Sequence, residues 1–236
     1  MATPSPLQRP RLRQLVAMGG GGFSMEPRDP ALDDAALALT GKGVPKVCFM
    51  GTANGDTSED LDAFYAAFPE SRAQASHVSL FHRRRDDLAA RILGCDLLYI
   101  GGGNTANLLA LWRLHEVDRW VREAWNSGIV LAGVSAGASV LFEACLTDAF
   151  GAKLTPLSDG LGLVSGSFCP HYDRGRRRSS RFRQVIGEGM QGGFGVGEGS
   201  ALHFCERDLV GVFRERPDCV AFRVSRDAGK VREVAL

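Results

Sequence analysis

Three short apolar runs each lead straight into a glycine cluster, and this arrangement restricts the fold of the chain more than any other feature. Leu15-Val-Ala-Met18 meets Gly19 to Gly22, Asp96-Leu-Leu-Tyr-Ile100 meets Gly101 to Gly103, and Ile129-Val-Leu-Ala-Gly-Val134 enters the turn Gly133-Val-Ser-Ala-Gly137. Runs of this length, aliphatic and nearly free of charge, are what strands buried on both faces require. Lys46 to Met50 and His77 to Phe81 read as further strands. Between them lie segments of helical spacing: Asp33 to Leu39, Ser58 to Phe68, Asp86 to Leu93, Thr105 to Leu114 and Val117 to Asn126. Ser58 stands where an N-cap belongs, with acids in the turn after it. The alternation predicts an α/β fold with a mostly parallel sheet covered by helices on both faces.

The last third changes character. Leu163 to Cys169, Ser200 to Phe204, Leu209 to Phe213, Cys219 to Val224 and Val231 to Val234 are strand-like, with Arg177 to Glu188 helical among them. They read as a C-terminal extension of the sheet by hairpins, one of them turning at Arg226-Asp-Ala-Gly-Lys230. No repeat or linker divides the chain, so residues 13–236 are expected to form a single domain. Residues 1–12 hold Pro4, Pro6 and Pro10 with Arg9 and Arg11 but no apolar core of a signal peptide, and are expected to be a disordered tail. A net charge of +1 argues against a general nucleic-acid or membrane-surface binder. No stretch of apolar residues reaches membrane-spanning length. The six cysteines are scattered, without a C-x-x-C pair, and are expected to be buried reduced thiols of a cytoplasmic protein.

Ligands of open α/β sheets bind beyond the carboxyl ends of the strands, where the three glycine clusters would converge. The first is not a dinucleotide loop: Ser24 or Met25 stands where the last glycine belongs, and the next helix starts too late. The third has the form of a nucleophile elbow, a sharp strand-to-helix turn whose small flanking residues let two backbone arms pass closely, with a helix expected over Ala136 to Ala144. Ser135 is therefore the candidate nucleophile. A serine hydroxyl needs a base, itself oriented by a third group. Of the five histidines, His171 follows an apolar strand and Pro170, and so stands at a strand end on the edge that carries the elbow, whereas His77, His82, His115 and His203 have ordinary structural readings. The orienting acid is Glu198, between glycines in Gly195-Val-Gly-Glu-Gly-Ser200, or Asp173. Amides of Ala136 and of the Gly101-Gly-Gly-Asn-Thr105 loop could bind an oxyanion, although Asn104 or Thr105 could equally cap the next helix. Cys169-x-His171 with His203-x-Cys205 would make a four-ligand zinc set, but such strand positions seldom close a tetrahedral site.

Met18-Gly-Gly-Gly-Gly-Phe-Ser24, Ile100-Gly-Gly-Gly-Asn-Thr105, Gly133-Val-Ser-Ala-Gly-Ala138, Cys169-Pro-His-Tyr-Asp173 and Gly197-Glu-Gly-Ser-Ala201 occur in an order that resembles the dipeptidase E and cyanophycinase family of serine peptidases, within the class I glutamine amidotransferase-like superfamily. The resemblance implies Ser135 as nucleophile, His171 as base and a carboxylate third member, placed at Glu198. It also implies an oxyanion hole from Ala136 with Gly102 and Gly103, small peptides as substrate, and neither metal nor organic cofactor. Dipeptidase E enzymes cut after an N-terminal aspartate, which calls for cations to meet the side-chain carboxylate and acceptors to meet the free amine. Asn104, Arg174, Arg178 and Arg181 are the candidate substrate contacts, and Glu26 and Glu143 the candidate amine partners. Other N-terminal residues, cyanophycin and carboxypeptidase-like trimming remain open, as does assembly into a homodimer. Two further readings stand beside the serine exopeptidase: a catalytically silent small-molecule binder of the same fold, and an amidase or esterase acting on a non-peptide acyl compound.

Overall fold

The computed structural model describes residues 12–25, 29–81 and 87–236. Of the tail expected over residues 1–12, only Leu12 falls within this range. Strand β1 (Gln14–Gly20) leads through a one-turn 3-10 segment (Gly22–Ser24) to α1 (Ala31–Ala38) and β2 (Lys46–Met50). A second 3-10 turn (Thr52–Asn54) precedes α2 (Ser58–Ala67), β3 (Gln74–Val78), α3 (Leu88–Leu93) and β4 (Leu97–Ile100), which are followed by α4 (Thr105–Leu114), α5 (Val117–Asn126) and β5 (Val130–Val134). The chain continues through α6 (Ala136–Ser139), β6 (Phe142–Thr147), β7 (Thr155–Leu157), β8 (Val164–Cys169) and α7 (Arg176–Gly187). It closes with β9 (Gly193–Val196), β10 (Ser200–Cys205), β11 (Asp208–Arg214), β12 (Ala221–Asp227) and β13 (Lys230–Ala235).

These strands make two sheets. The seven-stranded sheet has the order β11-β10-β1-β5-β4-β2-β3 and the six-stranded sheet the order β13-β12-β9-β8-β6-β7. In the first, β1, β5, β4, β2 and β3 are parallel and the β10–β11 hairpin adds antiparallel strands beside β1. The expectation of one sheet extended by hairpins therefore holds for β10 and β11, while β8, β12 and β13 belong to the second sheet instead.

Alternation along the central strands explains the layering. Leu15, Ala17, Cys48, Met50, Leu98, Ile100 and Leu131 point to one face, where α3, α4, α5 and the inner face of the second sheet complete a core with Trp112, Trp125, Phe142, Phe168 and Phe204. Val16, Met18, Val47, Phe49, Leu97, Tyr99 and Val130 point to the other, beneath α1 and α2, around Phe23, Phe64 and Phe68. Helix α7 covers the outer face of the second sheet through Phe182, Val185 and Ile186.

Three elements depart from the sequence expectation. The helix expected over Ala136 to Ala144 lasts one turn, and the chain then straightens into β6, where Phe142 stacks on Phe168 at 4.8 Å between ring centroids. An unbroken apolar run such as Val140-Leu-Phe satisfies a buried strand as well as a buried helix. The strand expected over His77 to Phe81 lies earlier, at Gln74–Val78; beyond it the Asp56 carboxylate accepts hydrogen bonds from the backbone of Leu80 (2.7 Å) and Phe81 (3.3 Å), drawing the chain off the ladder. The N-cap of α2 is Thr57, whose hydroxyl accepts from the Asp60 amide, and not Ser58.

Candidate active site

Strand β5 delivers Ser135 to the carboxyl end of the parallel sheet. Its amide donates to the Met18 carbonyl at 3.0 Å, extending the β1–β5 pairing by one residue. Its own backbone then takes φ 53° and ψ −111°, an unfavourable conformation for a residue with a side chain and one that an elbow demands. The strain is held from both sides. Ser139 returns its amide and hydroxyl to the Ser135 carbonyl at 2.9 and 2.8 Å, and Gly133 and Gly137 lie so close that a Cβ on either would overlap backbone atoms.

His171 comes from the second sheet, and Glu198 from the turn that joins the second sheet to the first. His171 follows β8 and Pro170, has a positive φ of 51°, and is anchored by its amide on the Gly19 carbonyl at 3.0 Å. Glu198 tops the turn between β9 and β10, where its amide donates to Asp173 Oδ1 at 3.1 Å. Ser135 Oγ lies 2.9 Å from His171 Nε2, and His171 Nδ1 lies 3.0 Å from Glu198 Oε1. With the carboxylate as an obligate acceptor, Nδ1 carries the proton and Nε2 is free to accept from the serine hydroxyl. Burial lowers the His171 pKa and so favours the neutral ring, opposed by its hydrogen bond to Glu198. Asp173, the alternative acid, is used to shape the turn that presents Glu198. Gly20 leaves the room for this pair: a Cβ there would sit 3.0 Å from His171 Cε1 and 3.1 Å from Glu198 Cγ.

A crevice of about 420 Å³ opens over Ser135 and His171, walled by Phe23, Phe49, Val134, Asn54, Asp60 and Arg174. A second cavity of about 280 Å³ meets it at Ser135 and is lined by Ala136, Leu146, Asp148, Pro170, Arg174 and Arg178. Gly102 and Gly103 line the first, Gly103 and Ala136 the second. The amides of Gly102, Gly103 and Ala136 have no hydrogen-bond partner among the described residues, which leaves them able to donate beside the Ser135 hydroxyl. A larger hollow of about 910 Å³ around Phe68, Ser76 and Arg91 contains none of these groups.

Not every candidate contact reaches the crevice. Arg174 lines both cavities and is well exposed, 3.8 Å from Glu198 Oε1. Arg178 reaches the smaller one, where Asp148 pairs with it at 2.8 Å. Arg181 does not: its guanidinium turns to the Leu154 carbonyl and to Glu188, 3.4 Å away in each case, on a separate surface cleft. Asn104 is occupied as the N-cap of α4, accepting from the Asn107 amide at 2.9 Å and donating to the Ala149 carbonyl at 3.0 Å. Glu143 accepts from the Gly166 amide at 2.7 Å in β6 and does not line the crevice, and Glu26 and His82 lie outside the described residues. His203 bonds Gln14 at 2.7 Å and stacks on Phe213. Among the described residues no three His, Cys, Asp or Glu side chains are grouped as a metal site requires. Burial raises the pKa of the Cys169 thiol, away from thiolate character. Phe23, Phe49, Asn54 and Asp60 escaped the sequence reading. For Phe23, Phe49 and Asn54 the one signal was position, on or just beyond the carboxyl end of a parallel strand, whereas Asp60 sits in the first turn of α2.

The sequence profile of peptidase family S51 matches residues 15–211. The chain belongs to this family. An S51 peptidase is thus an enzyme by descent, and the serine type fits both the family and the geometry above. "Uncharacterized peptidase YgaJ" of Bacillus subtilis (strain 168) is 41% identical to this S51 chain over 226 residues, covering 95% of it and 97% of the relative. "Peptidase E" of Pasteurella multocida (strain Pm70) is 27% identical over 183 residues, covering 74% and 76%. Among solved structures, a peptidase from an acI-B1 Actinobacterium superposes with a TM-score of 0.70 at 18% identity, covering 96% of this chain and 98% of its own. A putative peptidase E protein from Listeria monocytogenes EGD-e does so at 0.62 and 17% identity, covering 86% and 98%. At these identities the two structures show a shared fold.

Proposed function

We propose that this S51 peptidase is a serine exopeptidase that hydrolyses short peptides through an acyl-enzyme, with Ser135 as nucleophile, His171 as general base and acid, and Glu198 orienting the imidazole. The observation that carries the reading is the unbroken hydrogen-bonded chain from the Ser135 hydroxyl through His171 to Glu198, at 2.9 and 3.0 Å. Ser135 Oγ attacks the scissile carbonyl carbon as its proton passes to Nε2, and the amides of Gly102, Gly103 and Ala136 receive the oxyanion. Collapse breaks the C–N bond and His171 gives its proton to the leaving amine. Water then attacks the ester, losing a proton to Nε2, and Ser135 regains its own as the acid product departs.

A preference for N-terminal aspartate rests on Arg174, the arginine lining the larger cavity, as the cation for a side-chain carboxylate. Hydrolysis of a dipeptide and tripeptide panel, with the N-terminal residue varied among acidic, neutral and basic types, tests both levels of the reading. Ser135→Ala is expected to lower turnover by about 10⁴-fold or more. Cleavage that persists in Ser135→Ala would end the mechanism. Ser135-dependent cleavage without a preference for Asp-Xaa would keep the mechanism and discard the specificity, and no cleavage of any peptide would favour the binding or non-peptide readings.

A further inference from the structure

A buried acid outside both cavities has no place in the chemistry above. Glu215 directly follows β11, its side chain is 6% exposed, and it lines neither cavity at Ser135. Burying a carboxylate is costly unless donors meet its oxygens. Oε1 accepts from the Gly22 amide at 2.7 Å, and the exposed Arg216 guanidinium stands 3.6 Å from Oε2. The carboxylate is wedged between two glycine segments: a Cβ on Gly21 would lie 2.5 Å from Oε1, and one on Gly199 2.8 Å from Oε2. Backbone bonds close the same triangle. The Glu215 amide donates to the Gly199 carbonyl at 2.8 Å, and the Gly199 amide to the Gly20 carbonyl at 2.9 Å.

Both segments end at the triad. Gly199 is the neighbour of Glu198 in the chain, the Gly19 carbonyl accepts from the His171 amide at 3.0 Å, and Gly20 faces the His171–Glu198 pair. Gly21 and Gly22 adopt φ of 122° and 58°, and consecutive glycines have the widest backbone freedom of any residues, so this seam is rigid only as far as its hydrogen bonds hold it. We propose that Glu215 is a positioning residue of the reaction: its carboxylate fixes the glycine run after β1 against the turn that carries Glu198, and so sets the contact of Glu198 with His171 Nδ1. The proposal rests on the serine mechanism given above. The carboxylate acts here as a hydrogen-bond acceptor of the right reach rather than as a charge, since the Gly22 amide is neutral and an exposed arginine partner is worth little. Without that acceptor a buried amide is left unpaired and the run shifts to find another. Misplacing an orienting group by about 1 Å can cost up to about 10²-fold in turnover.

The test measures kcat, and the pH dependence of kcat/KM, for the dipeptide that the wild type cleaves fastest. Glu215→Ala, Glu215→Leu and Glu215→Gln are compared alone and in combination with Glu198→Gln. Glu215→Ala and Glu215→Leu are expected to lower kcat by about tenfold to 10²-fold. Both should also move the acid limb of kcat/KM to lower pH, because a weakened bond to Glu198 raises the His171 pKa less. Leucine fills the space of the carboxylate and serves if the alanine protein does not fold. Glu215→Gln keeps an acceptor for the Gly22 amide, and is expected to return kcat to within about threefold of wild type and the acid limb to its place. On top of Glu198→Gln, the alanine or leucine change is expected to add less than about twofold, since the contact through which it acts is already gone. A wild-type rate and acid limb in both Glu215→Ala and Glu215→Leu, a loss that Glu215→Gln shares, or a loss undiminished on top of Glu198→Gln overturns the proposal. A Glu198→Gln protein with wild-type turnover and acid limb sinks instead the triad reading beneath it.

Discussion

His171 is subject to opposed influences. Burial, aided by Arg178 and Arg174 nearby, lowers its pKa, and the Glu198 carboxylate pulls the pKa back up. The proposed mechanism needs the neutral ring, so activity should fall as pH drops through this lowered pKa. Glu198→Gln removes the only raising influence. The acid limb of kcat/KM is then expected to move to lower pH while the plateau drops by roughly 10²- to 10⁴-fold, the imidazole having lost its orienting anion. A pH-rate profile of the two proteins checks both parts, and an unmoved acid limb would show that Glu198 does not act on His171. At this scale the sequence was informative where a residue type is chemically indispensable: a serine between glycines, a histidine after a strand-ending proline, an acid between glycines. It was silent on Asn54 and Asp60, because an acid in the first turn of a helix is also what the helix dipole favours, and nothing local distinguishes that duty from a place on a crevice wall. Of its candidate contacts, Asn104 takes the capping role that the sequence also offered, and Arg181 turns to Leu154 and Glu188, away from the crevice.

The elbow formed by β5 and α6 works because neither arm has side chains at the crossing. A Cβ on Gly137 would overlap the Ile100 carbonyl oxygen at the end of β4, and one on Gly133 the carbonyl of Gly137 itself. Backbone cannot swing aside as a flexible side chain can. Gly137→Ala is accordingly expected to cost both thermal stability, by about 2 kcal/mol or more, and turnover, since the displaced strand end carries Ser135. Thermal unfolding with parallel rate measurement checks it, and a fully active variant of wild-type stability would refute the crowded-elbow account. A neighbouring loop is fixed by a different device. The Glu215 side chain, 6% exposed, accepts from the Gly22 amide at 2.7 Å, and its own amide donates to Gly199, which in turn donates to Gly20. The glycine run after β1 and the turn bearing Glu198 are thereby tied together. Most elements were legible in the sequence because buried parallel strands and amphipathic helices differ in length and period, and α4 and α5 fall at their expected bounds. The exceptions have causes of their own. β6 follows an apolar run that also suits a helix, β9 is built on glycines that carry no strand propensity, and β7 is a short edge strand containing Pro156.

For the molecule as a whole, one buried acid sets a pH dependence of stability. Asp33, in the first turn of α1 and 1% exposed, accepts from Tyr99 Oη at 2.9 Å, and burial raises its pKa to about 6. The folded protein therefore holds a proton there that the unfolded chain gives up near pH 4. That contribution is fully present below pH 4 and is lost as pH rises to about 6. Asp33→Asn, which still offers Tyr99 an acceptor, is expected to be more stable than wild type by about 2 to 3 kcal/mol at pH 7.5 and nearly equal to it at pH 4. Denaturant unfolding at the two pH values decides this, and a gap independent of pH would overturn it. The α/β class was legible at this scale, whereas the division of the later strands into two sheets was not, because pairing partners are chosen by tertiary packing and β12 carries no mark of which sheet it will join.

That division places Ser135 on the first sheet, His171 on the second, and Glu198 on the turn by which the chain passes from the second back to the first. A chain in which the first sheet has formed and the second has not docked would hold its nucleophile and glycine amides but no proton acceptor within reach. Synthesis reaches Ser135 long before Glu198, so under the proposed mechanism the serine emerges without the partners that would activate it. On that reading a half-made copy would be harmless to its surroundings, its reactivity waiting on the meeting of the two sheets.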